Sequence, residues 1–482
     1  MNMKHRTNIH LLVGIAFLSL LPLKSRGQMS LTLYEVIRLA QDSAITAFQS
    51  HQEFHSHQSS YEAFMALRKP QLSLNVVPNY SRIVSDPTRD YVYLRNYDIF
   101  STAANLRLTQ KVLPFGGQAY IGTQAIWSEY FRKDASGYPR QFVVSPLLVG
   151  YSQSLLGYNP FRWEKKVEDL RLKAARCQHD YDLRLLAEEA AVRYFRLACQ
   201  QRVLQMRLEE KYLNDTLLAI AREKATIAIV SLAELHSIEV QQQNSATLLE
   251  VAQQEEQTAR TELASLLRLS QLPADLALLD IPEMLPPVSF TSEEVVRLAL
   301  ANSPAYQHQL AELTEARHQE YKARKERGIN VGIDLNLGMQ QANRAFGSAL
   351  KNQQLYALGT VQVNIPLMDH GAARKRHEKA TAWANRQELA SQEVERLLAE
   401  DAAVTLQKLE SSRNRIARTQ STIKLAETTY NETADNYANG LCDINTFTLA
   451  ESRWATAYTN YLTALEEFWV SHYHLQTLIN YE

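Results

Sequence analysis

Apolar residues recur along the middle of the chain at spacings of three, four or seven: Val167, Leu170, Ala174, Cys177, Tyr181, Leu185, Val192, Phe195, Cys199, Val203 and Met206. The spacing averages near 3.5, the seam of helices wound into a left-handed supercoil. It belongs to a helical pattern predicted over about 160–226, and an equally long one is predicted over about 372–438. At 1.5 Å per residue each would reach about 100 Å, far beyond an ordinary globular helix. Shorter helices are predicted over about 31–69, 231–270, 291–327 and 443–480. Elsewhere the period changes to two. Val331, Ile333, Leu335, Leu337 and Met339 alternate with Gly332, Asp334, Asn336, Gly338 and Gln340, and Ala357–Ile365 alternates in the same way. Leu72, Leu74 and Val76 alternate with Ser73 and Asn75, and a last strand is predicted near Val143–Gln153, ahead of the long helix.

The layout occurs twice. Leu31–Ala40 aligns with Phe290–Ala299, each opening on a Thr or Ser cap, an acidic first turn and an apolar stripe. Tyr61 and Ala63 correspond to Tyr321 and Ala323 further on. The expected organisation is therefore a leader at 1–27, a first repeat at 28–272, a Pro-rich crossing segment at 273–288, and a second repeat at 289–482.

Strands of about ten residues with one apolar and one polar face have the length of a tilted membrane strand. Buried strands of a soluble core would show more continuous apolar runs. Two strands per copy give about four per chain, too few to close a barrel, and open edges cannot be left in lipid. The expected fold is mixed α and β, with about four strands per chain in a barrel shared by several chains, which three chains would bring to an even twelve, and long helices beside it. The first copy carries extra alternating segments, Asn105–Val112 and Gln118–Trp127, joined through the turn signal Pro114-Phe115-Gly116-Gly117. The pattern leaves open whether this hairpin is in the barrel or outside it. Tyr91, Tyr93, Tyr97, Trp127, Tyr130 and Tyr138 could form an interfacial aromatic girdle or be ordinary loop residues.

Composition narrows the class. Lys4 and Arg6, the apolar run Ile9–Leu23 and Ser25-Arg26-Gly27 form a secretory signal pattern with cleavage expected after Gly27. The run is shorter than the ~20 residues of a membrane span. Removing four basic residues takes the formal charge from −1 to about −5, which argues against a nucleic-acid partner. Cys177, Cys199 and Cys442 make no disulfide framework. His51, Glu53, His55 and His57 are metal-like, with His51 and His55 one turn apart, but the segment is polar and lacks a nearby Cys or second His pair. No metal, cofactor or catalytic residue is expected, because no phosphate loop and no nucleophile–base arrangement is legible.

Three stretches carry a resemblance to a known group. Val361-Gln-Val-Asn-Ile-Pro-Leu-Met-Asp-His-Gly371, followed by Arg374, Lys375 and Arg376, resembles the strand-to-helix passage of the TolC-like outer-membrane efflux channel family, the outer membrane factors. Tyr151–Pro160 resembles the equivalent passage of the first copy, and Tyr437-Ala-Asn-Gly-Leu-Cys-Asp-Ile444 resembles the periplasmic helix-to-helix turn. The resemblance implies a homotrimer in the outer membrane of a Gram-negative bacterium, with a shared trimeric β-barrel there and long helices forming a periplasmic α-barrel. Its implied partners are a periplasmic adaptor protein and an inner-membrane pump of RND or ABC type. The implied role is that of a passive duct, not an enzyme, in tripartite efflux or type I secretion of small molecules or polypeptides. Pro366 and Gly371, with Asn159 and Pro160, are placed at the passages; Glu234, Tyr437, Gly440 and Asp443 are placed at the periplasmic entrance. Cys442, Thr446 and Leu449 stand where the best-known members carry a basic residue and two aspartates, so Asp443 is the acid left there. Threefold rings of Glu234 and Asp443 would favour cations; the alternative is that both cap or solvate helix ends. A soluble periplasmic coiled-coil adaptor would account for the helices and the export signal, but not for two matched sets of lipid-length strands.

Overall fold

The computed structural model describes residues 31–83, 97–131, 140–155, 159–226, 230–273, 276–282, 284–287, 290–439 and 441–480. The leader at 1–27 and Gly440 lie outside the described residues, as do Tyr91, Tyr93 and Tyr138. In chain order the elements are α1 (Leu33–Ser43), α2 (Ile45–Ala66), β1 (Gln71–Ile83), β2 (Tyr97–Val112), β3 (Gly117–Tyr130) and β4 (Arg140–Ser154). Then come α3 (Pro160–Thr226), α4 (Leu232–Leu266), α5 (Ser292–Asn302), α6 (Pro304–Glu326), β5 (Asn330–Asn343), α7 (Phe346–Ala349), β6 (Gln354–Asn364), α8 (Ala372–Ala438) and α9 (Ile444–Ile479).

The two long helices, α3 and α8, each run 67 residues, as the helical periodicity predicts. Helices α1 and α5 open on matching capping boxes, Thr32 with Glu35 and Thr291 with Glu294, each satisfying two backbone N–H groups reciprocally. The single helices expected over 31–69 and 291–327 are each divided. Pro304 lacks an N–H and drives Ser303 to extended backbone, where its hydroxyl caps Tyr306. Ala44 makes the same break in the first half without a proline.

All six strands form one antiparallel sheet in the order β1-β2-β3-β4-β5-β6. This corrects the expected four strands per chain. The segments Asn105–Val112 and Gln118–Trp127 are the cores of β2 and β3, lying within the sheet between β1 and β4. Alternation alone could not place them, since a hairpin has the same period wherever it pairs.

Directly beneath the sheet the helices lie side by side as α2, α3, α6, α8; at the far end the order is α4, α3, α9, α8. The main core sits midway, where α1, α5, α9 and Leu272, Leu276, Leu279 and Ile281 gather around α3 and α8. Phe195 stacks on Trp469 there, with ring centroids 5.1 Å apart. Backbone N–H groups of Leu279 and Asp280 donate to Gln201 and Tyr194, pinning the crossing segment to α3. At this level α3 is buried on more than a seam: Leu186, Ala190, Tyr194 and Leu197 are buried, whereas the seam position Leu185 is 44% exposed. The 3.5-residue repeat misses this because several partners converge on α3 from different sides.

Candidate functional site

The sheet has two chemically different faces. One register row crosses all six strands as Leu72, Leu108, Ile121, Val149, Leu337 and Ala357. Apart from Ala357, whose side chain is one methyl group, these are large hydrophobics left 39–67% exposed. A continuous exposed apolar band of this kind is foreign to a soluble surface. The neighbouring row, on the opposite face, reads Gln71, Thr109, Tyr120, Gly150, Asn336 and Leu358, and is mainly polar. Within it, Tyr120 lies across Gly150, which has no side chain to obstruct the ring, and its hydroxyl donates to Asn336. The Arg107 guanidinium sits 4.2 Å from the centre of the same ring. Strand β3 is thus tied to β5 across β4. Trp127 and Tyr130, from the proposed girdle, are half-buried on β3, with Trp127 edge-on to Phe100.

Each strand-to-helix passage has its own lock. Pro160 is the first residue of α3, where its missing N–H costs nothing. Asn159 just before it accepts from the Phe161 N–H at 3.0 Å and donates to the carbonyls of Leu113 and Pro114 at 2.8 and 3.1 Å. In the second half, Pro366 is exposed and follows β6. Gly371, with φ +82°, is the left-handed residue before α8. Sequence reasoning did not single out Asp369, whose carboxylate accepts from the N–H groups of Gly371 and Ala373 at 2.9 and 2.8 Å. Those bonds hold its carboxyl below the usual range. The Asp-x-Gly spacing was the available signal.

Of the residues expected at an entrance, Tyr437, Glu234 and Asp443 lie at or beside a small core. Tyr437 stacks on Phe447 at 5.5 Å and packs against the cluster of Leu218, Ala221, Ile238, Ile444 and Phe447. Burial pushes the Tyr437 hydroxyl up, with a further contribution from the Glu234 carboxylate nearby. Glu234 occupies the first turn of α4, and its N–H donates to the Ser231 cap. Asp443 is the N-cap of α9, accepting from the Thr446 N–H at 2.8 Å and its hydroxyl at 2.5 Å, which lowers its carboxyl. Asp443 thus caps a helix start with its carboxylate, whereas Glu234 sits in a first turn whose cap is Ser231.

A group that the sequence reading missed lies deeper. Glu451 on α9 is 1% exposed, and its two oxygens accept from Asn214 of α3 at 3.1 Å and Gln241 of α4 at 2.9 Å. Burial, reinforced by the neighbouring Glu210, pushes its carboxyl up to about 7. Its signal in the sequence is a charge set into the stripe Phe447, Ala450, Ala455. His51 and His55 lie exposed on α2, and among the described residues no three metal-binding side chains converge. The three cysteines are unbridged.

This arrangement of one sheet over long paired helices is the fold of the TolC-like outer-membrane channels. Among solved structures, the chain is similar to the outer membrane protein VceC from Vibrio cholerae (13% identity, TM-score 0.65, covering 93% of this chain and 95% of that one). The Campylobacter jejuni CmeC outer membrane channel matches at 12% identity and TM-score 0.64, over 95% and 90% of the two chains. The Neisseria gonorrhoeae MtrE outer membrane channel matches at 15% identity and TM-score 0.62, over 93% and 88%. No family model and no curated protein matches the sequence.

Proposed function

We propose that this chain is one subunit of a homotrimeric duct in the outer membrane, which passes cargo outward from the periplasm without chemistry of its own. The observation that carries this reading is the apolar row across six strands whose outermost members, β1 and β6, are both edges. Edge N–H and C=O groups cannot stay unpaired in hydrocarbon, and pairing β6 of one copy with β1 of the next satisfies both edges at once. Among the described residues no helix is long and apolar enough to cross a membrane; the exposed apolar row is what supports the sheet as the element that meets lipid. A soluble adaptor would have no use for that row.

On this reading, energy and cargo choice reside in the partners, a periplasmic adaptor protein and an inner-membrane pump of RND or ABC type, which meet the ends of α3, α4, α8 and α9. Three copies would bring Glu234 and Asp443 into rings at the entrance, beside the Tyr437–Phe447 stack, and the duct would favour cations there. Fractionation tests the reading: a heat-modifiable trimer in outer-membrane fractions supports it, and recovery in the soluble periplasm overturns it.

A further inference from the structure

Four helices stand directly beneath the sheet, and each continues into one strand: α2 into β1, α3 from β4, α6 into β5 and α8 from β6. Strands β2 and β3 have no helix below them. They return through the turn at 113–116, which Asn159 grips where α3 begins. Each inserted strand is paired along its length, β2 with β1 from Gln71 to Ile83 and β3 with β4 from Gln118 to Glu129. Their apolar positions Leu108 and Ile121 fall in the same row as those of the other four strands.

The arcs of the two layers can be compared. Helices pack 8–10 Å apart, so four of them span roughly 32–40 Å. Strands lie about 4.8 Å apart, or about 6 Å measured around a barrel in which they tilt by about 40°. At that tilt six strands span roughly 37 Å and four roughly 25 Å.

We infer that β2 and β3 widen the membrane pore: three copies close a barrel of eighteen strands, broader than the twelve that four strands per chain would give. The inference rests on the trimeric channel reading. An eighteen-stranded barrel at this tilt has a backbone diameter of about 36 Å, against about 24 Å for twelve strands. The class of cargo this suits is bulky and hydrated, since barrels of sixteen to eighteen strands keep an open aqueous channel.

The width can be read directly. In a variant carrying Cys177→Ala, Cys199→Ala and Cys442→Ala, Asp334→Cys on the polar face of β5 is labelled with a nitroxide, and pulsed electron paramagnetic resonance is recorded on the full-length protein in lipid. Three equivalent backbone positions lie about 31 Å apart in an eighteen-stranded barrel and about 21 Å apart in one of twelve. Labels directed inward shorten both values alike. A distance in the longer range supports the inference, and removal of residues 97–131, which lets antiparallel β1 and β4 meet, should shift it to the shorter range. A distance already in the shorter range in the full-length protein overturns the wide barrel and leaves the channel reading standing. Absence of any defined distance between chains overturns the trimeric reading itself.

Discussion

The side-chain nitrogen of Asn159 lies 2.8 Å from the carbonyl oxygen of Leu113, so the residue that starts α3 also holds the turn joining β2 to β3. One side chain caps the long helix with its oxygen and closes the hairpin with its nitrogen. Asn159→Ala removes both functions and should lower stability by about 1–2 kcal/mol. Asn159→Ser keeps a capping oxygen but is too short to bridge to the turn, so it should fall between Ala and the parent. Thermal unfolding of the extracted protein orders the three; a serine variant as stable as the parent would show that the turn contacts contribute nothing.

Gly116 stands on the other side of that contact. Its φ of +77° is one that side chains rarely adopt, and a Cβ there would come 3.1 Å from Asn159 Cγ. Gly116→Ala should cost roughly 1–2 kcal/mol, from the left-handed backbone and the crowding together. The cost should be nearly the same in an Asn159→Ser background, because Cα and Cβ of residue 159, each 3.2 Å from the added Cβ, remain there. A much smaller cost in the serine background would put the whole effect on Asn159 Cγ.

Gly150 allows Tyr120 to reach Asn336, because any side chain at 150 would occupy the tyrosine ring. Gly150→Val should sharply reduce the yield of heat-modifiable protein. Tyr120→Ala made together with Gly150→Val should recover part of it by vacating the space. If the double variant folds no better than Gly150→Val alone, steric exclusion by the ring is the wrong account.

Glu451 gives a pH dependence with a definite sign. Its carboxyl titrates near 7 in the folded chain, against an ordinary value of 4.5, so the folded state holds a proton that the unfolded state releases between those values. Stability from this group is fully present below pH 4.5, declines as pH rises, and is lost above about 7, a change on the order of 3 kcal/mol. Glu451→Gln should remove that slope and unfold at a higher temperature than the parent at pH 8. Parallel melting-temperature profiles for the two proteins from pH 5 to 8 would contradict it.

Neutralising the entrance acids tests the proposed rings. Asn at 443 keeps an oxygen for the Thr446 N–H, so Asp443→Asn with Glu234→Gln should preserve the helix starts while lowering cation preference in single-channel recordings. Selectivity unchanged by the pair would mean that both acids serve only the helix ends.

The sequence by itself determined the elements. The helical patterns over 160–226 and 372–438, with Pro160 and Gly371 as start signals, marked both long helices, and period-two alternation marked where strands run and which residues share a face. These are local properties, because helical and pleated backbones repeat within a few residues. The strand order, the place of the β2–β3 hairpin and the meeting of Glu451 with Asn214 were decided only in the tertiary structure. The breaks at Ala44 and Ser303 interrupt stripes that read as continuous, although Pro304 marked the second one. Periodicity says which side of an element is apolar but not what will cover it. That choice joins residues as far apart as 214 and 451, and it is made by packing geometry along the whole length of α3 and α9.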